Sequence, residues 1–155
     1  MGNLYRRGYA ASGCGRVKHF VAQELVPPEV FAARGVKSLE LFDHNLLRLL
    51  DWLREKYGPA VINNWHIGGQ FSQSGLRTVA FYGSDLKYHA SFSQHKYGRA
   101  ADMKFAKKSA AEVREDLKLQ WPACGLGFPI SLEEDVSWLH VDTRPHDGLI
   151  KTFKP

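Results

Sequence analysis

Apolar residues recur at intervals of three and four between positions 39 and 57. Phe42, Leu46, Leu49, Leu50, Leu53 and Tyr57 make one stripe, the pattern of an amphipathic helix. Arg54 and Lys56 fall in its last turn and Gly58-Pro59 stops it, while Asp43 and His44 read as solvent-facing. A second helix is predicted from Ser109, which forms a capping box with Glu112 ahead of an apolar face of Val113, Leu117 and Trp121; Pro122 ends it. Short apolar runs predict strands at Ala60-Val61-Ile62-Asn63, from Ala100 to Phe105 and from Trp138 to Asp142. Pro27-Pro28 breaks any regular element. From Asn64 to Tyr88, the pairs Gly68-Gly69, Ser74-Gly75 and Gly83-Ser84 carry too much turn chemistry for a long element. Residues 123–137 read as a loop with an acidic knot, Glu133-Glu134-Asp135, and residues 146–155 as a C-terminal tail. The Gly-rich residues 1–17 read as a flexible arm. The expectation is a single α+β domain over residues 18–145, with helices packed to one side of a small mixed or antiparallel sheet.

Composition narrows this picture only a little. A chain of 155 residues, 44% hydrophobic and 24% charged, has the size and make-up of one globular domain. No apolar run approaches the roughly 20 residues of a transmembrane helix, so no membrane span is expected. The basic N-terminus has no apolar stretch behind it, and no secretory signal is expected either. Cys14 and Cys124 are far apart and read as two free thiols. The net charge of +5 favours anionic partners, but no run of five basic residues occurs. So diffuse a charge gives no case for nucleic acid, and a monomer is expected.

The chemistry concentrates in Ser93-Gln94-His95-Lys96-Tyr97-Gly98-Arg99-Ala100-Ala101-Asp102 and, far downstream, in Trp138-Leu139-His140-Val141-Asp142. Strand alternation puts Trp138, His140 and Asp142 on one face and Leu139 and Val141 on the other. It likewise sets Ala100, Asp102 and Lys104 against Ala101, Met103 and Phe105. His95 precedes its strand, in a turn that Gly98 permits. Two imidazoles and a carboxylate are the parts of a three-ligand zinc site with an open coordination position. His19, His44, His66, His89 and His146 lie outside such a pattern and read as ordinary polar residues.

At these residues the chain resembles the M15 zinc peptidases, the D-Ala-D-Ala carboxypeptidases and phage endolysins of the Hedgehog/DD-peptidase fold. The likeness rests on Ser93-x-His95-x-x-Gly98-x-Ala100-x-Asp102 followed by Trp138-x-His140-x-Asp142, and covers about Lys18 to Pro145. It implies one zinc ion held by His95, Asp102 and His140, and hydrolysis of peptidoglycan stem peptides at a D-Ala-D-Ala or an L-Ala-D-Glu bond. Ser74-Gly75-Leu76-Arg77 is similar to the family's Ser-Gly-Tyr-Arg element, which implies that Arg77 faces the scissile carbonyl or the substrate carboxylate. Many members carry Glu or Asp three residues before the last histidine. Here that position is Ser137, which leaves Glu134 or Asp135 as the expected general base. Asp142 is expected to support a ligand from behind, and Ser93 to bind substrate or shape the turn. The resemblance also implies a protein made in the cytoplasm and, if phage-encoded, delivered to the cell wall. A zinc-binding module without hydrolytic activity, wall- or virion-associated, is the alternative that Ser137 leaves open.

Overall fold

The stripe of leucines forms helix α2 (His44–Tyr57), which buries Leu46, Leu47, Leu49, Leu50, Leu53 and Tyr57. The structure is a computed structural model and describes residues 17–155. The expected arm therefore lies outside the described residues, as does Cys14, except for Val17, which packs against the core. Helix α2 begins later than its apolar pattern. Asp43 is its N-cap, accepting the Leu46 N–H at 3.1 Å, and residues Gly35–Leu41 wind instead as a 3-10 helix. A proline at the first helical position leaves no N–H unsatisfied, so Pro28 opens helix α1 (Pro28–Arg34) rather than breaking structure.

Turn-rich residues 64–88 also fold into more than loop. They hold short helices α3 (Val79–Tyr82) and α4 (Asp85–Ala90, completed at Ala90), the latter capped by the Ser84 hydroxyl. The capping box is present at the start of α5 (Ala110–Gln120), and Val113, Leu117 and Trp121 are buried. None of the described helices is long and apolar enough to cross a membrane.

Among the described residues five strands make one mixed sheet: β1 (Ala60–Val61), β2 (Ala100–Phe105), β3 (Ile130–Glu133), β4 (Leu139–Asp142) and β5 (Ile150–Phe153), in the order β1-β2-β4-β3-β5. All neighbours are antiparallel except β3 and β5, which run parallel. Two of these strands correct the sequence reading. Ile130–Glu133 lies within the stretch read as a loop, and Ile150–Phe153 within the stretch read as a tail. Each run is only four residues long. Their backbone groups are satisfied by each other and by β4, and no single-chain pattern announces such pairing.

The sheet has two unlike faces. Ala101 and Met103, Ile130 and Leu132, and Leu139 and Val141 point into the core against α2 and α5. Asp102 lies opposite His140 across β2 and β4, and Glu133 lies opposite Phe153 across β3 and β5. Continuing the β3–β4 register by one residue sets Glu133 beside His140. A polar row of Asp102, His140 and Glu133 thus crosses three strands, on a floor whose other side is dry.

Candidate metal centre

Gly98 explains how His95 reaches that row. Gln94–Tyr97 form one 3-10 turn that Gly98 ends at φ 65°, in the left-handed region. A Cβ there would also lie 2.0 Å from the Leu41 carbonyl oxygen, so glycine is needed for both dihedral and space. The turn folds His95 back over β2, where it is buried. A similar crossing passes on the other side. Gly75 leaves no room for a Cβ, which would meet the Leu25 carbonyl oxygen at 2.0 Å. The Leu76 N–H donates to that carbonyl at 2.8 Å, and the Asp102 N–H donates to the Ser74 carbonyl at 2.8 Å. Asn63, buried, accepts the Ser74 N–H on its side-chain oxygen. The Ser74-Gly75-Leu76-Arg77 segment is therefore laced onto the part of β2 that β1 does not cover.

Three donor atoms converge: one nitrogen each from His95 and His140 and a carboxylate oxygen of Asp102, all within 4.8 Å of one another. His95 Nε2 lies 3.4 Å from Asp102 Oδ1, and His140 Nδ1 lies 2.8 Å from the same oxygen. Ligands about 2.0–2.2 Å from a tetrahedral ion stand roughly 3.3 Å apart, close to the separations of Asp102 from both imidazoles.

The far side of each imidazole is also engaged. His95 Nδ1 is 2.7 Å from the Gly75 carbonyl oxygen, which can only accept, so that nitrogen carries the proton and Nε2 offers its lone pair to the site. His140 Nε2 donates to Asp142 Oδ2 at 3.2 Å, which turns Nδ1 toward Asp102. Asp142 is fully buried and is itself clamped by the Arg144 guanidinium, with contacts of 2.8 and 2.5 Å. These are the outer contacts that fix ligand tautomers in metal sites, and the donor set suits zinc.

Burial and charge act together on these groups. Burial opposes charge on His95 and holds its pKa below the ordinary value, which leaves it neutral, the ligating form. For His140 burial acts the same way, but the hydrogen bonds to Asp102 and Asp142 outweigh it and push the pKa up to about 9. Burial raises Asp102, yet bonding to His140 and His95 wins and keeps its carboxyl well below the usual range. The metal-free site is thus an imidazolium held between two carboxylates.

The expected functional residues divide in two. Arg77 and Ser93 line the cleft of about 290 Å³ that opens on the triad. The Arg77 guanidinium donates to Asp102 Oδ2 at 3.0 Å and to the Gln73 carbonyl at 2.8 Å, and it stacks on Phe81. Glu134 and Asp135 do not line the cleft. Glu134 pairs with Lys118 at 2.7 Å, and Asp135, exposed, pairs with Lys154 at 2.9 Å. Strand alternation is the reason: in β3 Glu133 faces His140, and Glu134 therefore turns away. Of the acidic knot, the residue that does line the cleft is Glu133, with Oε2 3.9 Å from His140 Nδ1. Arg144, Trp138 and Phe153 join it there. Glu133 belonged to the acidic knot in the sequence; recognising a strand at Ile130 would have singled it out.

Comparison with protein-family models, with curated proteins and with solved structures finds no match to this chain.

Proposed function

We propose that the chain is a zinc-dependent peptidase of the M15 type, with a Hedgehog/DD-peptidase-like fold, acting on peptidoglycan stem peptides. The observation that carries the reading is the convergence of His95, Asp102 and His140 in an open cleft that also presents a carboxylate outside the triad, Glu133, and a guanidinium, Arg77. A purely structural metal site is closed by protein ligands, whereas three ligands facing a cleft leave a coordination position for chemistry. The ligand motifs quoted above and the mixed α+β architecture are compatible with that family.

His95 Nε2, Asp102 and His140 Nδ1 would hold the ion. When bound, zinc acts as a Lewis acid that polarises a carbonyl and brings the pKa of a water to about 7. The remaining tasks fall to the chain's own residues. Glu133, on the triad's face of the sheet, is the group placed to take a proton on a carboxylate oxygen and return it to a leaving amine. Arg77 keeps donors free beyond its Asp102 contact and can stabilise charge developing on a carbonyl oxygen. Phe153 and Trp138 wall the cleft and limit water around the reacting bond.

The test is turnover of synthetic stem peptides, one ending in D-Ala-D-Ala and one containing L-Ala-γ-D-Glu, by purified protein before and after zinc removal. Hydrolysis that disappears with chelation and returns with zinc supports the proposal. A protein that binds zinc tightly and hydrolyses neither peptide is instead a non-catalytic zinc-binding module.

A further inference from the structure

Strand β5 carries one side chain to the triad. It pairs in parallel with β3, so that Glu133 lies opposite Phe153, and the Glu134 N–H donates to the Phe153 carbonyl at 2.7 Å. Lys151 and Thr152 are exposed, whereas Phe153 is half-buried and lines the cleft. Its ring stands edge to face with His140, the centroids 5.6 Å apart and the planes at 86°. The Arg144 guanidinium lies over the same phenyl ring, 4.7 Å from its centre. Arg144 in turn donates to Asp142 through its backbone N–H at 3.1 Å and its Nε at 2.8 Å. Asp142 accepts the His140 Nε2–H at 3.2 Å. The contacts close on themselves, from His140 to Asp142, to Arg144, to Phe153 and back to His140.

We propose that Phe153 is a positioning residue of the metal centre: from the last strand it closes this ring of contacts and holds the His140 imidazole in place for the ion. The proposal rests on the metal reading of the triad and adds a determinant that lies outside both ligand motifs. Hydrogen bonds and packing restrain different rotations of the imidazole. The contacts to Asp102 and Asp142 select between its two flipped forms, because a flip puts carbon where nitrogen was. Rotation about Cα–Cβ is restrained by what the ring packs against, and it packs against two rings, His95 at 5.1 Å and Phe153. Phe153 acts through Arg144 as well. A guanidinium is attracted to an aromatic face, so the phenyl ring keeps Arg144 lying along Asp142. Leucine at 153 would fill a similar volume and offer neither face nor edge. Losing the ring therefore loosens His140 twice, by direct contact and through Asp142.

The full chain tests this in the variants Phe153→Leu, Phe153→Tyr, Arg144→Gln and Ile150→Ala. Zinc affinity is measured by competition with a chromophoric chelator, the cobalt(II)-substituted protein by its visible absorption, and the metal-free His140 imidazole by heteronuclear NMR. Phe153→Leu is expected to weaken zinc binding about 10–100-fold, as for other outer contacts of a metal ligand. It should also shift the cobalt(II) bands and broaden the His140 Nε2–H signal. Phe153→Tyr keeps an aromatic ring and should restore all three. Arg144→Gln should weaken binding too, and combined with Phe153→Leu it should cost less than the product of the single losses, as for residues acting in one network. Ile150→Ala loosens the same strand away from the ring, and should leave the cobalt(II) bands and the imidazole signal unchanged. Unchanged affinity and spectra in Phe153→Leu overturn the proposal. Equal losses in Ile150→Ala and Phe153→Leu, or no restoration by Phe153→Tyr, overturn it as well, since Phe153 then only packs the strand. If wild type binds no zinc, the metal reading fails and the metal-free NMR signal decides. Its loss in Phe153→Leu and return in Phe153→Tyr uphold the positioning of His140, and its persistence in Phe153→Leu overturns that too.

Discussion

Asp142, fully buried, accepts the Nε2–H of His140 at 3.2 Å and is held in return by Arg144. This chain of contacts decides which nitrogen of His140 faces Asp102. The carboxylate holds a proton on Nε2, which leaves Nδ1, already turned to Asp102, as the nitrogen free to give up its proton to a metal ion. Asp142→Asn is therefore expected to weaken zinc binding about 10–100-fold, the usual effect of losing such an outer contact. His95→Ala combined with His140→Ala should abolish tight binding. Competition with a chromophoric chelator measures both. Unchanged affinity in Asp142→Asn would falsify the orienting role.

Glu133 is the acid of the Glu133–Asp135 knot that lines the cleft, whereas Glu134 and Asp135 are tied to lysines. Glu133→Gln should lower kcat by about 10²–10⁴, the scale of general acid–base catalysis, with zinc content unchanged. Glu134→Gln and Asp135→Asn should leave the rate within about twofold, since neither carboxylate lines the cleft. Steady-state kinetics on all three variants decides between them. If Glu134→Gln proves the crippled one, the strand alternation assigned to β3 is not that of the protein in solution.

Arg77 touches Asp102, the proposed carboxylate ligand, as well as the cleft, so its replacement should have two effects of unequal size. Arg77→Ala is expected to lose about 10²–10³ in kcat, as for one missing transition-state donor. Zinc affinity should fall by about tenfold, since Asp102 loses a partner. Arg77→Lys, which keeps charge but not the planar fork, should recover zinc affinity more fully than rate. Equal loss of rate and metal in both variants would reduce Arg77 to a support for Asp102.

The metal-free protein should respond to pH in a direction set by His140. Its folded-state pKa of about 9 exceeds the ordinary histidine value of about 6.5. A raised pKa contributes stability that is full below the unfolded value and lost as pH rises through the folded one. The thermal midpoint of the metal-free protein should therefore decline between about pH 6.5 and 9. Zinc and the Nδ1 proton compete for one site, so zinc affinity should climb over the same window by up to about tenfold per pH unit. Calorimetry in buffers of different ionisation enthalpy reads the released proton directly. Proton-free binding at pH 7 contradicts the imidazolium.

Much of the local structure was legible in the sequence. The leucine stripe of α2 and the Ser109–Glu112 box mark helices because a 3.6-residue period and a capping pair act within a few residues of chain. Alternation in Ala100–Phe105 and Leu139–Asp142 likewise tells which side chains share a face, and the ligand motifs single out His95, Asp102 and His140. Tertiary structure alone decided what those faces meet. Strands β3 and β5 are stabilised by partners distant in sequence, and only their pairing places Glu133 rather than Glu134 beside His140. Phe153 comes to lie against His140 and Arg144 because β5 pairs with β3 and β3 with β4. Local periodicity reports short-range backbone preference, whereas a site is a set of long-range distances, and those exist only once the sheet has closed.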